Sequence, residues 1–269
     1  MSTSSGGEEL PELDAPPVVE VALGIQFRPL LGLRPIELGP LREAWRLIHP
    51  VVQEQPLLPP AIETPTSRAR VAQFVVGPAL NTRVWFLSDD LSSLVQLQHD
   101  RLTVNWRQVA SSAYPRYPAV RAAFEERSAD LARFVSEHGL GHLSVTQAEV
   151  TYINAIDATE DALGDLGRVL RHWNAPSTHL GQPEQARCTL VFPVPGVGQP
   201  PVRLYVAVDP AQRPDGTPSL FLTLTVRGAP AGGSLEEALR FMDQAHDHVV
   251  RSFAELAPDA MHAHWERRR

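Results

Sequence analysis

The chain has no lysine; all 24 of its Lys and Arg positions are arginine. That excludes a Schiff-base lysine, a P-loop lysine and the ATP-pairing lysine of protein kinases, and with them the usual PLP enzymes and two large nucleotide-using classes. Cysteine occurs once, at Cys188, so neither an intramolecular disulfide nor a thiolate zinc cluster can form. Cys188 sits in an apolar run with no base partner, which suits a small packed residue rather than a nucleophile. No apolar run reaches the ~20 residues of a membrane span, and no basic segment followed by an apolar one opens the chain. A basic excess is also missing. The net charge of -7 and pI near 5.8 disfavour nucleic acid as a partner. The expected location is the bacterial cytoplasm, with no membrane contact.

What is present is the composition of an ordinary globular protein, 43% hydrophobic and 20% charged over 269 residues. Residues 1–13 are rich in Ser, Gly and Glu and read as a disordered tail. From Val18 to Phe27, Val19, Val21, Leu23, Ile25 and Phe27 alternate with Glu20, Ala22, Gly24 and Gln26, the period of a half-buried strand. A short helix around Leu41 and Trp45 ends at His49-Pro50. The stretch from Pro56 to Pro65, with Pro59 and Pro60, is a loop that cannot supply a full set of ladder donors. Strands over 71–76, 83–87, 93–98 and 102–109 form an antiparallel meander, and a helix over 118–138 stops at Gly139.

The order then recurs: a strand over 147–156, a helix over 161–173, strands over 187–192, 202–208 and 220–227, and a final helix. Ser234 with Glu237 has the spacing of a capping box at that last helix. Each half opens on a Glu-Val pair, Glu20-Val21 and Glu149-Val150. The fold class expected is α+β: a tandem duplication of a β-α-β(3-4)-α unit, helix-grip or TATA-binding-protein-like in topology. The first repeat spans 14–140 and the second 141–269, both forming one compact unit whose antiparallel sheet carries helices on one face.

If the apolar members of each strand face the helices, the others face outward. That surface holds Glu20, Arg83, Asn105, Arg107, Glu149, Arg187, Arg203, Tyr205 and Arg227, with the neighbouring cluster Asp100, Arg101, Tyr114 and Tyr117. Guanidinium groups offer a bidentate fork to carboxylate or phosphate, so an Arg-rich face suits an acidic ligand. The bland alternative is a solvated sheet face that is polar anyway. For the carboxylates Glu20 and Glu149, an acid/base pair requires them to meet, whereas separate salt bridges to neighbouring arginines require only cross-strand register.

The stretch Ala15-Pro16-Pro17-Val18-Val19-Glu20-Val21 resembles the opening of a family sporadically distributed among bacteria and archaea. Asp100-Arg101, Asn105-Trp106-Arg107, Tyr114 to Tyr117, Tyr152-Ile153-Asn154 and the closing His246, Phe253 and Trp265 carry the same resemblance. It covers nearly the whole chain after the tail. It implies length and pattern; no activity is established for that family, so no catalytic role is carried over.

His246 and His248, two apart on a helix, point roughly 200° from each other and cannot chelate one ion. His262 and His264 could do so only outside a helix. No metal or cofactor is implied. No nucleophile-elbow serine occurs, and Gly196 with Gly198 is only a fragment of a dinucleotide fingerprint. The leading expectation is a non-enzymatic binding or accessory protein that holds a small acidic ligand or a protein partner on the open sheet face or in the groove between halves. The alternative is a hydrolase or lyase with Glu20 or Glu149 as base and Arg107 as anion clamp. A homodimer that occludes the sheet face stays open.

Overall fold

The computed structural model describes residues 9–65, 82–109, 113–159, 161–171, 173, 179, 183–213 and 216–266. It is an α+β fold built on one antiparallel sheet. The elements in chain order are β1 (Val18–Phe27), a 3-10 turn (Pro35–Leu38), α1 (Gly39–Trp45), β2 (Val51–Gln55), β3 (Arg83–Leu87), β4 (Ser93–Gln98), β5 (Arg101–Arg107) and α2 (Tyr117–Glu137). There follow β6 (Val145–Asp157), α3 (Ala162–Val169), β7 (Cys188–Pro193), β8 (Gln199–Gln212), β9 (Pro218–Ala229), α4 (Leu235–Leu256) and α5 (Asp259–His264). Among the described residues the sheet has nine strands in the order β2-β3-β4-β5-β1-β6-β9-β8-β7.

The two strands that carry the Glu-Val pairs lie side by side at the centre, with Ala22 opposite Thr151 and Gly24 opposite Glu149. On β1 the alternation works as read: Val21, Leu23, Ile25 and Phe27 are at most 2% exposed. They face the layer formed by α2 and α4, which pack on β1, β5, β6 and β9. α2 sends Val120, Phe124 and Leu131 into that layer, and α4 sends Met242, Ala245 and Val249. The single cysteine is half-buried beside the core.

Several boundaries differ from the sequence reading. β2 was not expected: its five residues are mostly exposed at the sheet edge, so burial imprints no alternation on them. α3 ends at Val169 rather than near Trp173, with Asp161 capping it through Gly164 N at 2.9 Å. α5 is an added turn after Pro258. The strand expected over 71–76 lies outside the described residues. Leu10 to Leu13, assigned with the tail, lie against the helix layer, and Arg116 donates to Leu13 O at 3.0 Å.

Ser234 caps α4: its Oγ accepts from Glu237 N at 3.2 Å and donates to Glu237 Oε2 at 3.3 Å, in place of the reciprocal bond of a full capping box. Ser234→Ala is expected to cost about 1 kcal/mol. A thermal melt should show a drop of roughly 2–4 °C, and an unchanged midpoint would mean water satisfies the Glu237 amide equally well.

Candidate functional site

The polar face of the sheet is where most of the expected site residues meet, but it does not lie open. Gln26, Gln98, Arg101, Asn105, Gln147 and Arg203 are all 9% exposed or less. Residues 57–64, following β2, cross this face as an extended strap. Pro59 and Pro60 deprive the strap of two amide donors, and it runs over the sheet face rather than along an edge. Side-chain amides bind it instead.

The register places Gln98, Arg101, Gln26 and Gln147 side by side on β4, β5, β1 and β6. Gln98 Oε1 accepts from Leu58 N at 3.1 Å and its Nε2 donates to Leu58 O at 3.1 Å. Gln26 repeats this with Ala61, accepting at 2.9 Å and donating at 2.6 Å. Arg101 Nη2 donates to Pro59 O and to Gln26 Oε1, both at 3.0 Å. Gln147 Oε1 accepts from Glu63 N at 3.3 Å. Each glutamine reads main chain as a strand partner would, whatever side chain the strap bears.

Past the glutamines the strap inserts Glu63, whose side chain is 4% exposed. Its carboxylate accepts from Arg203 Nη1 at 2.5 Å, from Tyr205 Oη at 2.8 and 2.9 Å, and from Arg227 Nε at 3.0 Å. Arg203 also donates to Thr64 O at 2.7 Å, and Arg227 reaches Glu149 Oε2 at 3.3 Å. Burial, followed by the Glu63 carboxylate, raises the Tyr205 phenol, so it stays a donor at neutral pH. Two guanidinium groups and a phenol converge on this one carboxylate, a donor set whose chemistry suits an acidic group.

Glu20 belongs to a separate chain of contacts on the same face. Arg83 Nη1 and Trp85 Nε1 donate to Gln96 Oε1 at 2.9 and 3.0 Å, Gln96 donates to Asn105 at 2.8 Å, and Asn105 donates to Glu20 at 2.5 Å. Burial raises the Glu20 carboxyl, against the pull of Asn105 and Arg107. Arg107 faces Glu20 across the strands, but its Nη2 donates to Leu91 O at 3.0 Å. Arg83 and Arg107 both approach the Trp85 ring, at 5.3 and 6.0 Å.

The register does not bring Glu20 and Glu149 together. Glu149 sits opposite Gly24, four residues from Glu20, which is about 13 Å along the strand. Gly24 leaves room for it: a Cβ there would lie 3.2 Å from Glu149 Cγ and from Thr103 Oγ1. Arg187 lies outside this group; it precedes β7, its side chain is 71% exposed, and it meets Asp209 at 3.4 Å. Asp100 is buried in the β4–β5 turn, where it accepts from Gln98 at 2.6 Å. Tyr114 and Tyr117 are on the opposite, helix-covered side.

Two corrections follow. The face expected to be open is covered at its Gln98–Arg203 end, because unpaired arginines there would be costly and the strap supplies their partner. Tyr114 and Tyr117 leave the sheet-face set. The residue that sequence reasoning missed is Glu63, hidden in a proline-rich loop with no periodicity; four prolines around a lone acid, Pro56, Pro59, Pro60 and Pro65, were the available signal of a stiff, specific loop.

Among the described residues, no three or more His, Cys, Asp or Glu are grouped to hold a metal, and no helix is long and apolar enough to cross a membrane. No family model and no curated protein matches the chain.

Proposed function

We propose that this protein is a non-enzymatic binding module of the bacterial cytoplasm that holds an extended acidic segment of a protein partner across its polar sheet face. The observation that carries this reading is the receptor of Arg203, Tyr205 and Arg227 around a buried carboxylate, at the end of a row of glutamines that bind main chain. The strap is its resident occupant, and a partner segment of the same chemistry competes with it. Recognition by main-chain hydrogen bonds with one side-chain pocket is the usual division between affinity and specificity in extended-peptide binding.

The fold is read as a tandem duplication in which β1 to α2 and β6 to α4 are equivalent, with helix-grip-like topology in each half. Supporting it, Glu20 faces Arg107 and Glu149 faces Arg227, and the proposed equivalence of Glu20 with Glu149 places Ala22 and Thr151, which are paired, at corresponding positions. The hydrolase or lyase reading has less support: Glu20 and Glu149 sit in separate polar groups, and Arg107 is engaged by Leu91 O.

The test is fluorescence anisotropy of a labelled peptide of residues 57–65 against the Glu63→Ala protein, in which the receptor has lost its own carboxylate. Saturable binding is expected, at least tenfold weaker for a peptide with glutamine at the Glu63 position. A folded Glu63→Ala protein that shows no saturable binding, or binds both peptides alike, would end the peptide reading.

A further inference from the structure

On the other side of the sheet from the strap, a cavity of about 550 Å³ lies between α2 and α4. Tyr152 and Asn154 of β6 line it together with Val249, Val250 and Phe253 of α4, and Leu10 to Asp14 lie along it. Its size is that of a small-molecule site, mostly apolar with a few convergent polar groups.

Those polar groups form one chain. The Tyr114 and Tyr152 hydroxyls are 3.0 Å apart, and the Tyr152 hydroxyl is 2.9 Å from His246 Nδ1. The Tyr117 ring stacks on the His246 ring at 3.9 Å and 2°, fixing the imidazole plane, while the Tyr117 hydroxyl is committed to Asp243 at 2.8 Å. Burial keeps His246 neutral, at about 4, so its ring carries one hydrogen and one lone pair. The chain can therefore run in either direction. If Tyr114 donates to Tyr152 and Tyr152 to Nδ1, the Tyr114 oxygen is left with lone pairs to accept; reversed, Tyr114 has a hydrogen to give. A single neutral hydroxyl answers both polarities from one atom, since its oxygen both donates and accepts. A carboxylate only accepts; Arg116, which lines the cavity over the Tyr114 ring, is exposed and already donates to Leu13 O, and Glu12 and Asp14 line the same space and repel an anion.

We infer that this cavity binds a small molecule with a flat aromatic body and a neutral hydroxyl, a phenol or aromatic alcohol, whose hydroxyl extends the Tyr114–Tyr152–His246 chain. The aromatic body packs among Tyr117, Val249 and Phe253, where edge and face contacts with rings are available. The site is independent of the sheet-face receptor, so either can fail alone.

The probe is 2-naphthol, titrated into the full chain by calorimetry, beside 2-methylnaphthalene, which keeps the shape without the hydroxyl, and 2-naphthoate, which carries a charge. Naphthol is expected to bind saturably with one site, and both comparison compounds at least tenfold more weakly. Tyr114→Phe, which removes only the chain's terminal hydroxyl, should erase the preference for naphthol over methylnaphthalene while leaving methylnaphthalene binding in place. Tyr152→Phe provides a second variant with the same expected loss of preference. No binding by naphthol, equal binding of naphthol and methylnaphthalene, or a preference that survives in both folded variants overturns the inference.

Discussion

Replacing Glu63 with alanine is expected to cost about 3 kcal/mol of folding stability, the low end of the range for breaking a buried ion pair from one side. The reason lies in what is left behind. Among the described residues, Arg203, with an 11% exposed side chain, would keep Thr64 O, and Arg227, 20% exposed, would keep Glu149. Two guanidinium charges would then sit beneath the strap with one carboxylate between them, and the Tyr205 hydroxyl would lose its acceptor. Arg227's residual partner and exposure are why the low end of the range applies. In a chain of this size the loss should lower the melting midpoint by roughly 6–12 °C, and urea unfolding should report it directly. Arg203→Met added to Glu63→Ala should cost less than Arg203→Met alone, since the uncompensated charge leaves with it. Strict additivity of the two would mean that the receptor is solvated and the Glu63 carboxylate contributes little. The same deficit gives the peptide experiment a second readout, because an occupant bound only to the folded state raises the midpoint.

The central strands were legible because burial on one face of a sheet imprints period-2 alternation: Val21, Leu23, Ile25 and Phe27 had no other reading. The pairing of Glu149 with Arg227 and of Glu20 with Arg107 was also within reach, since cross-strand neighbours follow once strand order is known. Strand alternation could not show what lies on top of the polar face. Gln26 reads as an outward, solvated position, and its amide, like that of Gln98 on β4, instead binds a segment more than 30 residues away in sequence. Glu63 carries no pattern at all, because a strap held by amides and one carboxylate needs no periodicity. The opposite face hid a different feature. Tyr114, Tyr152 and His246 are separated by 38 and 94 residues, and only the packing of α4 on β6 makes them one chain.

The second large effect expected is a loss of stability on acidification between pH ~6.5 and ~4, carried by two histidines that fold neutral. His49 is 3% exposed; burial first, and then the charge of Arg127, hold it at about 4. His246 is also held at about 4 by burial, which outweighs the opposing pull of Asp243. In the unfolded chain both take a proton near the ordinary value of 6.5. Between the two values the unfolded state binds more protons, so stability rises with pH there: the contribution is fully present above ~6.5 and is lost as pH falls toward ~4. The magnitude is on the order of 3 kcal/mol for His49 and smaller for His246, whose ring is partly exposed to the cavity and screened by solvent. Glu20 works in the opposite sense, since its raised carboxyl takes up a proton earlier in the folded state than in the unfolded one. Urea unfolding at several pH values across this window should give a free energy that falls steadily toward acid. His49→Asn and His246→Gln should each flatten that slope, because neither replacement titrates. Slopes equal to that of the parent protein in both variants would assign acid sensitivity to other groups, among them His248, which burial also lowers, and the carboxylates. Protonation also changes the cavity's chemistry: an imidazolium must donate from Nδ1, which forces the Tyr152 hydroxyl to accept there and fixes the hydroxyl chain in the direction that leaves Tyr114 as the donor. A naphthol probe, which answers both polarities, should therefore lose less affinity on acidification than a ligand offering only a donor.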